Sequence, residues 1–407
     1  MKILVLTSTY SRSTNDTEPR FVDNLCQNLS RDNVIHVIAP HAKGIPTEEI
    51  LDGVQVFRFR YCFESWQTLA YNGGILPNIK QNQLRLLLVP FFFVSQLVLA
   101  IRLVRKNRYD IIHAHWIIPQ GIVALLARQF AKNWPAVVLT SHGGDLFALQ
   151  GKFFAWLKKS ITHRADALTV VSSAMQQKAL EMELSAERDI SIIPMGVDSQ
   201  RAFTPPPQHV ERRGLLFVGR LVDKKGIEYL LRALPQVLAS HPAEHLTVIG
   251  DGPLKQSLVE LGETLNITEH LTFTGALTNR DIPHYLQTSA IAIFPSVVTD
   301  SGDQEGTPVA IMEALACGCP TIVADYPGVR DVISDNETGL LVAGKSPEGI
   351  ADAILTLLNN QDLRLHLSRN GRQQVQAQYD WRVISDKFMS LFRKLCPEPS
   401  SVLHENR

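Results

Sequence analysis

Two short apolar runs, Ile291–Pro295 and Thr321–Ala324, bracket a helical stretch at Val309–Ala316, and this unit constrains the fold more than any other part of the chain. Parallel strands joined by a crossover helix are buried on both faces, so they read as unbroken apolar runs. Thr307 is placed to cap the helix, with Pro308 at its first position. Glu305 then falls in the loop before the helix and Glu313 on its second turn. A helix start attracts anions through its free N–H groups and its dipole. A carboxylate beside such a start makes sense when the two face different parts of one ligand. The plainer alternative is a solvated residue in an acidic loop.

The same alternation runs through the chain. Met1–Leu6, Val34–Ala39, Val54–Arg60, Tyr109–His113, Ala136–Thr140 and Ala167–Val171 read as strands, with helices at Arg20–Leu29 and Ile122–Phe130 among them. Pro194-Met195-Gly196-Val197-Asp198 reads as the exit from this unit, and Phe203-Thr204-Pro205-Pro206-Pro207 as a stiff connector. A second series follows: strands at Gly214–Val218, Leu246–Ile249, Leu271–Phe273 and Ile291–Phe294, separated by helices at Ile227–Leu238, Leu254–Leu265 and Asp281–Thr288. The expected class is α/β, with two Rossmann-like domains and a cleft between them. The expected divisions are 1–198, 199–378, and a final helix and tail at 379–407 that pack back on the first domain.

Charge and cysteine usage exclude several functions. Net charge is zero, but residues 1–198 hold 21 Lys and Arg against 16 Asp and Glu, and residues 199–407 hold 19 against 24. The resulting +5 and −5 are too small for a nucleic-acid binder, yet they mark the first half as the one to face an anionic surface. Five cysteines without a C-x-x-C spacing argue against a disulfide framework and against zinc. Ile3–Leu6 is too short an apolar run for a signal peptide, which points to the reducing cytoplasm. Leu86–Ile101 is the most apolar run, interrupted by Pro90, Ser95 and Gln96, and falls short of the roughly 20 residues that span a bilayer. Two readings stay open for it. One is a buried helix of the sheet's outer layer; the other is a peripheral membrane contact, since Arg85, Arg102, Arg105, Lys106 and Arg108 flank it.

The candidate chemistry lies at strand ends. Gly219-Arg220-Leu221-Val222-Asp223-Lys224-Lys225-Gly226 joins a strand to a helix, and Arg220 and Lys225 are placed there to hold a diphosphate. Ser141-His142-Gly143-Gly144-Asp145 follows another strand, where two glycines let backbone approach a ligand and aim an imidazole at it. His113 and His115 lack a third ligand at metal spacing. Gly339 to Ser346 matches the G-x-x-x-x-G-K-[ST] pattern, but its middle residues read as a strand and Ser346-Pro347 as a helix start, so it is not a phosphate loop.

With these residues assembled, the chain resembles a GT-B glycosyltransferase of the family 4 (group 1) type over essentially its full length. The resemblance rests on His142-Gly143-Gly144-Asp145, PMGVD at 194–198, GRLVDKKG at 219–226, GDGP at 250–253, FTG at 273–275 and, most specifically, the E-x7-E segment EGTPVAIMEALACGCPTIVA at 305–324. It implies retaining transfer of a hexosyl group from a UDP- or GDP-sugar to a glycan or lipid-linked acceptor, without a metal or other cofactor. It implies further that Arg220 and Lys225 neutralise the diphosphate, that Glu305 faces the donor hexose, and that His142 lies near the transferred sugar. The backbone of Gly306, Thr307, Pro308 and Val309 would line sugar and phosphate. Glu313 would hold the ribose, Gly275, Ala276 and Leu277 would border the base, and Gly250 would complete the donor site. The chain departs from the pattern at Glu18-Pro19-Arg20-Phe21, where many relatives carry a Gly-Gly pair. It departs again at Thr307 and Pro308, where an aromatic residue and a glycine are usual.

Two alternatives share the ligand and change the outcome. One is a nucleotide-sugar epimerase, which would convert the donor without an acceptor. The other is a catalytically silent binder, which would hold the donor without turnover.

Overall fold

The apolar runs assemble into two sheets. The computed structural model describes residues 1–13, 16, 18, 20–71, 73–185, 190–207, 210–300, 302, 305 and 309–397. The first sheet comprises β1 (Lys2–Leu6), β2 (Val34–Pro40), β3 (Glu48–Leu51), β4 (Val54–Phe59), β5 (Ile111–His115), β6 (Ala136–Ser141), β7 (Ala167–Val170) and β8 (Ile190–Ile192). Its order is β3-β4-β2-β1-β5-β6-β7-β8, and all neighbours are parallel except the edge pair β3–β4. The second sheet comprises β9 (Leu215–Val218), β10 (Leu246–Ile249), β11 (Leu271–Gly275), β12 (Ile291–Phe294), β13 (Thr321–Ala324) and β14 (Leu340–Val342). Its order is β11-β10-β9-β12-β13-β14, all parallel. That is the 3-2-1-4-5-6 order of a doubly wound sheet, and the winding reverses between β9 and β12. In the first sheet it reverses between β1 and β5. Ligands bind outside the carboxyl ends of strands at such reversals.

The helices are α1 (Phe21–Leu29), α2 (Ile75–Gln81), α3 (Val89–Lys106), α4 (Ile122–Arg128), α5 (Lys152–Thr162), α6 (Ser173–Glu181) and α7 (Ile227–Ser240). They continue as α8 (Lys255–Thr264), α9 (Ile282–Thr288), α10 (Val309–Ala316), α11 (Pro347–Asn359), α12 (Gln361–Gln378) and α13 (Trp381–Leu395). The edge strand β3 and the helices α2 and α5 were not expected from the sequence. β3 (EEIL) has neither strict alternation nor a long apolar run, and Pro77 masks α2. The phosphate-loop pattern is excluded by geometry. Leu340–Val342 is a strand, and the Ser346 hydroxyl caps α11 by accepting from Gly349 N at 3.1 Å.

The last helix belongs to the first domain's core. Trp381, Ile384, Phe388 and Phe392 of α13 are buried with Ile3, Val5 and the inner face of α1. At about 1.5–3 kcal/mol for each fully buried large side chain, this contact holds the crossing firmly. The outgoing and returning segments touch where they cross. Val197 N donates to Tyr379 O at 2.9 Å, and Trp381 N donates to Val197 O at 3.2 Å. A Cβ on Gly196 would sit 2.5 Å from the Trp381 indole, so a glycine is required there. A second bridge between the domains joins Ser173, whose N and Oγ each donate to Asp331 at 2.6 Å.

Candidate functional site

The reversal point of the second sheet brings together the loops that follow β9 and β12. Gly226, at φ +61°, closes the first loop, and a Cβ there would lie 2.0 Å from Pro295 O in the second. Val297 N donates to Lys224 O at 2.8 Å, fixing the two loops against each other. The loop after β10 is pressed on as well. A Cβ on Gly250, at φ +144°, would fall 1.9 Å from Gly219 O, and Leu221 N donates to Asp251 O at 3.0 Å. Side chains in the cation loop are therefore aimed by backbone that has little freedom.

Those side chains converge on Glu305. Its Oε2 is 3.1 Å from Lys225 Nζ and its Oε1 is 3.6 Å from Lys224 Nζ, with the carboxylate side chain 12% exposed. Burial alone pushes this carboxyl up, but Lys225 and then Lys224 outweigh it and hold it below its ordinary value. Lys224, which the spacing of Arg220 and Lys225 does not single out, thus joins the site through its contact with Glu305. Glu313 has the opposite character. Burial lifts it to about 7. Glu313 and Val309 line a cleft together with Arg220, Lys225, Gly250, Ala276 and Leu277. Gly275 ends β11, where its carbonyl accepts from Gly250 N at 2.9 Å. Gly306, Thr307 and Pro308 lie outside the described residues.

The opposite wall comes from the first domain. His142 does not itself line the cleft but packs against residues that do. Its Nε2 is 2.8 Å from His115 Nδ1, with the two rings stacked at 11°. Phe21 and Trp116, which line the cleft, pack against the His142 ring at centroid distances of 4.8 and 5.0 Å. Behind them His113 Nε2 meets Thr140 Oγ1 at 2.7 Å, and Thr140 meets Thr169 at 2.6 Å. Burial pushes His113 and His142 down to about 3, and His115 well below its ordinary value. All three rings are thus neutral near pH 7, and His115 and His142 fix each other's tautomer, since one nitrogen must donate and the other accept. Asp145 anchors the loop by accepting from Ile117 N at 2.6 Å and Ser141 Oγ at 2.7 Å.

A glycine pair does reach the cleft, but from a different segment than the loop after β1. Gly73 and Gly74, at φ +108° and +94°, precede α2 and line the cleft. A Cβ on Gly73 would lie 2.2 Å from Arg220 Nη1, so the two domains meet across the cleft at this point. The cleft holds about 2260 Å³. Pockets for one small ligand run to about 1,000 Å³, so this cleft has room for two substrates. Among the described residues, no group of three or more His, Cys, Asp or Glu side chains is placed to hold a metal ion.

Comparison with known proteins agrees with this geometry. Residues 19–201 match the family Glycosyltransferase Family 4, and residues 199–374 match Glycosyl transferases group 1. A GDP-mannose-dependent alpha-(1-6)-phosphatidylinositol monomannoside mannosyltransferase of Mycobacterium tuberculosis is 28% identical over 68% of this chain and 75% of its own length. A putative teichuronic acid biosynthesis glycosyltransferase, TuaC, of Bacillus subtilis is also 28% identical, over 93% of this chain and 95% of its own. The solved sucrose-phosphate synthase of Thermosynechococcus elongatus superposes with a TM-score of 0.77 at 21% identity, covering 97% of this chain and 98% of that one. Anabaena Alr3699/HepE in complex with UDP superposes with a TM-score of 0.72 at 16% identity, covering 97% and 100%. With a glycosyltransferase family match over each sheet and the two-sheet cleft between them, the chain belongs to the group 1, family 4 glycosyltransferases of GT-B architecture.

Proposed function

We propose that the chain transfers a hexosyl group from a UDP- or GDP-sugar to a glycan or lipid-linked glycan acceptor, with retention at the anomeric carbon and without a metal. The observation that carries this reading is the convergence of Lys224 and Lys225 on Glu305 at the winding reversal of the second sheet, with Arg220 in the same loop. A diphosphate laid along this loop meets cations fixed before any reaction, and fixed charge is what stabilises a departing phosphate oxygen. Glu305, displaced from the lysines by the diphosphate, turns to the hexose hydroxyls. A carboxyl held below its ordinary value is a poor general base, which favours a reaction driven by leaving-group departure over one driven by base-assisted attack. Glu313 accepts from the ribose, and Ala276 and Leu277 border the base. His142, neutral and of fixed tautomer, offers a hydrogen bond to the transferred sugar. The cysteines are free thiols, in keeping with a cytoplasmic site of action.

A thermal-shift screen of UDP-, GDP- and ADP-sugars identifies the donor, because a ligand that binds the native state raises its melting temperature. Proton NMR of the product then reads the anomeric configuration. Arg220→Ala and Lys225→Ala are each expected to lower transfer by a factor on the order of 10² to 10³, the usual loss for one fixed charge-stabilising group. Unaltered transfer in both, or an inverted product, would overturn the reading.

A further inference from the structure

The outer layer of the first domain, α2 to α5, is chemically unlike the rest of the chain. Residues 65–165 carry twelve Lys and Arg, no Glu, and two Asp, a net of +10 in a chain whose total is zero. Of these groups Asp145 is buried and occupied by Ile117 and Ser141, Lys158 is buried on the carbonyls of Leu146 and Leu149, and Arg128 is buried against Asp166, so ten of the twelve cations remain for the surface. Helix α3 and the turn before it carry an apolar outer stripe and an inner stripe that is apolar except for Gln96. The inner stripe, Phe92, Gln96, Ala100 and Leu103, is buried against the sheet. The outer stripe, Leu87, Phe91, Val94 and Val98, is 69%, 61%, 54% and 60% exposed. A helix apolar all round is ordinarily enclosed on all sides, and this one is covered on one side. The stripe continues at its carboxyl end into exposed Arg102, Arg105 and Lys106, with Arg105 stacked 5.1 Å from the exposed Phe130 ring on the neighbouring segment. Phe153 and Trp156 of α5 are exposed on the same layer. Beyond residue 214, by contrast, the large exposed apolar side chains among the described residues are Val298 and Leu365.

We propose that this layer docks on an anionic bilayer, with the outer stripe of α3 entering the interface and the surrounding Lys and Arg meeting the headgroups. Such a surface supplies both an apolar interior and negative charge of unlimited extent. A protein partner would need an acidic rim that matches the same outline, and protein interfaces are depleted of charge toward their core. The helix lies on the membrane and does not cross it, because its inner stripe belongs to the domain core. Gln96 Nε2, for example, donates to Thr7 O at 3.2 Å. The layer also opens into the cleft. Arg85, Leu86 and Val89 at the start of the helix line the cleft, as does Phe154 of α5. A glycan carried on a lipid therefore reaches the cleft while its tail stays in the bilayer. Docking stands independently of the transferase reading; acceptor delivery rests on it.

Flotation of the full chain with phosphatidylcholine vesicles, with and without phosphatidylglycerol, tests the proposal. The protein is expected to float with the anionic vesicles, to be released by high salt, and to remain in solution with the neutral ones. The variants Phe91→Ser/Val94→Ser/Val98→Ser and Arg102→Glu/Arg105→Glu are each expected to lower the floated fraction about tenfold. Their melting temperature and their shift with the donor sugar should stay unchanged. Should a variant fold poorly, tryptophan quenching by brominated anionic lipid reads the same contact through Trp156, with the Trp156→Phe variant subtracting the signal of the other exposed tryptophans, Trp66 and Trp134. No flotation, flotation that survives both variants, or absent quenching would each overturn docking. A stripe that instead holds two copies together in light scattering, without vesicle binding, would assign the face to a protein contact and overturn it equally. Failure of the transferase reading shows separately, as a missing donor shift.

Discussion

Glu305 Oε2 and Lys225 Nζ lie 3.1 Å apart, so the carboxylate proposed to meet the donor hexose is held by the cation proposed to meet its diphosphate. A bound diphosphate and Glu305 compete for the same ammonium group. Removing the carboxylate's charge should therefore affect the two halves of the donor in opposite directions. Glu305→Gln is expected to bind the bare nucleoside diphosphate as tightly as the native chain or more tightly, by calorimetry. The same variant should lose transfer by a factor on the order of 10² or more. Loss of diphosphate affinity in this variant would contradict the competition.

Glu313 provides a pH signature. Burial raises its folded pKa to about 7 from 4.5, so the native chain holds more protons than the unfolded one between those values. Its contribution to stability is complete below pH 4.5 and is lost as pH rises through 7. Ribose hydroxyls that donate to the carboxylate favour the ionised form. Donor binding at pH 6 is accordingly expected to release up to one proton, measured by calorimetry in buffers of different ionisation enthalpy. A nucleotide-sugar diphosphate does not itself titrate in this window. Glu313→Gln should abolish the release and melt higher than the native chain at pH 8, but not at pH 5.

The histidine stack should show the opposite slope. His113 and His142 are pushed down to about 3, with His115 also well below the ordinary 6.5, by burial. Above pH 6.5 both folded and unfolded forms are neutral and nothing is gained or lost. As pH falls from 6.5 toward 3 the unfolded chain takes up protons that the native chain refuses, so stability falls. His115→Gln is expected to flatten the decline in melting temperature between pH 7 and pH 5. A decline as steep as the native one would show that the buried rings do not set it.

Gly73 and Arg220 give a test of the domain contact. An alanine at position 73 must adopt φ +108° and place its Cβ 2.2 Å from the Arg220 guanidinium. The backbone cost is about 1–2 kcal/mol, visible in urea unfolding. Displacement of Arg220 should raise the donor KM severalfold while kcat changes less. An unchanged KM would mean that Arg220 does not hold the donor from this position.

Much of this site could be read from local order along the chain. Glu305, Glu313, Arg220 and Lys225 each stand beside a strand end and a helix start, and such positions are fixed by neighbours within a few residues. Contacts made at long range could not be read that way. Gly73 and Arg220 are separated by most of a domain, and His115 and His142 meet because β5 and β6 are adjacent in the sheet. The two faces of α3 illustrate a different limit. The outer stripe is apolar and the packed one carries Gln96, so the pattern names a helix but not the side that packs, and burial appears only once the sheet beneath Phe92 and Ala100 is in place.

The paired crossing at Val197 and Asp380 sets how the cleft can move. Gly196, Val197 and Trp381 line the cleft at this point, so the two lobes are riveted together at its floor. The two hydrogen bonds from Ser173 to Asp331 are a second tie, so any change in the gape at Gly73 and Arg220 has to turn about both ties at once. Two ties on one side of the cleft and an open mouth on the other make its base the stiffest part of the site.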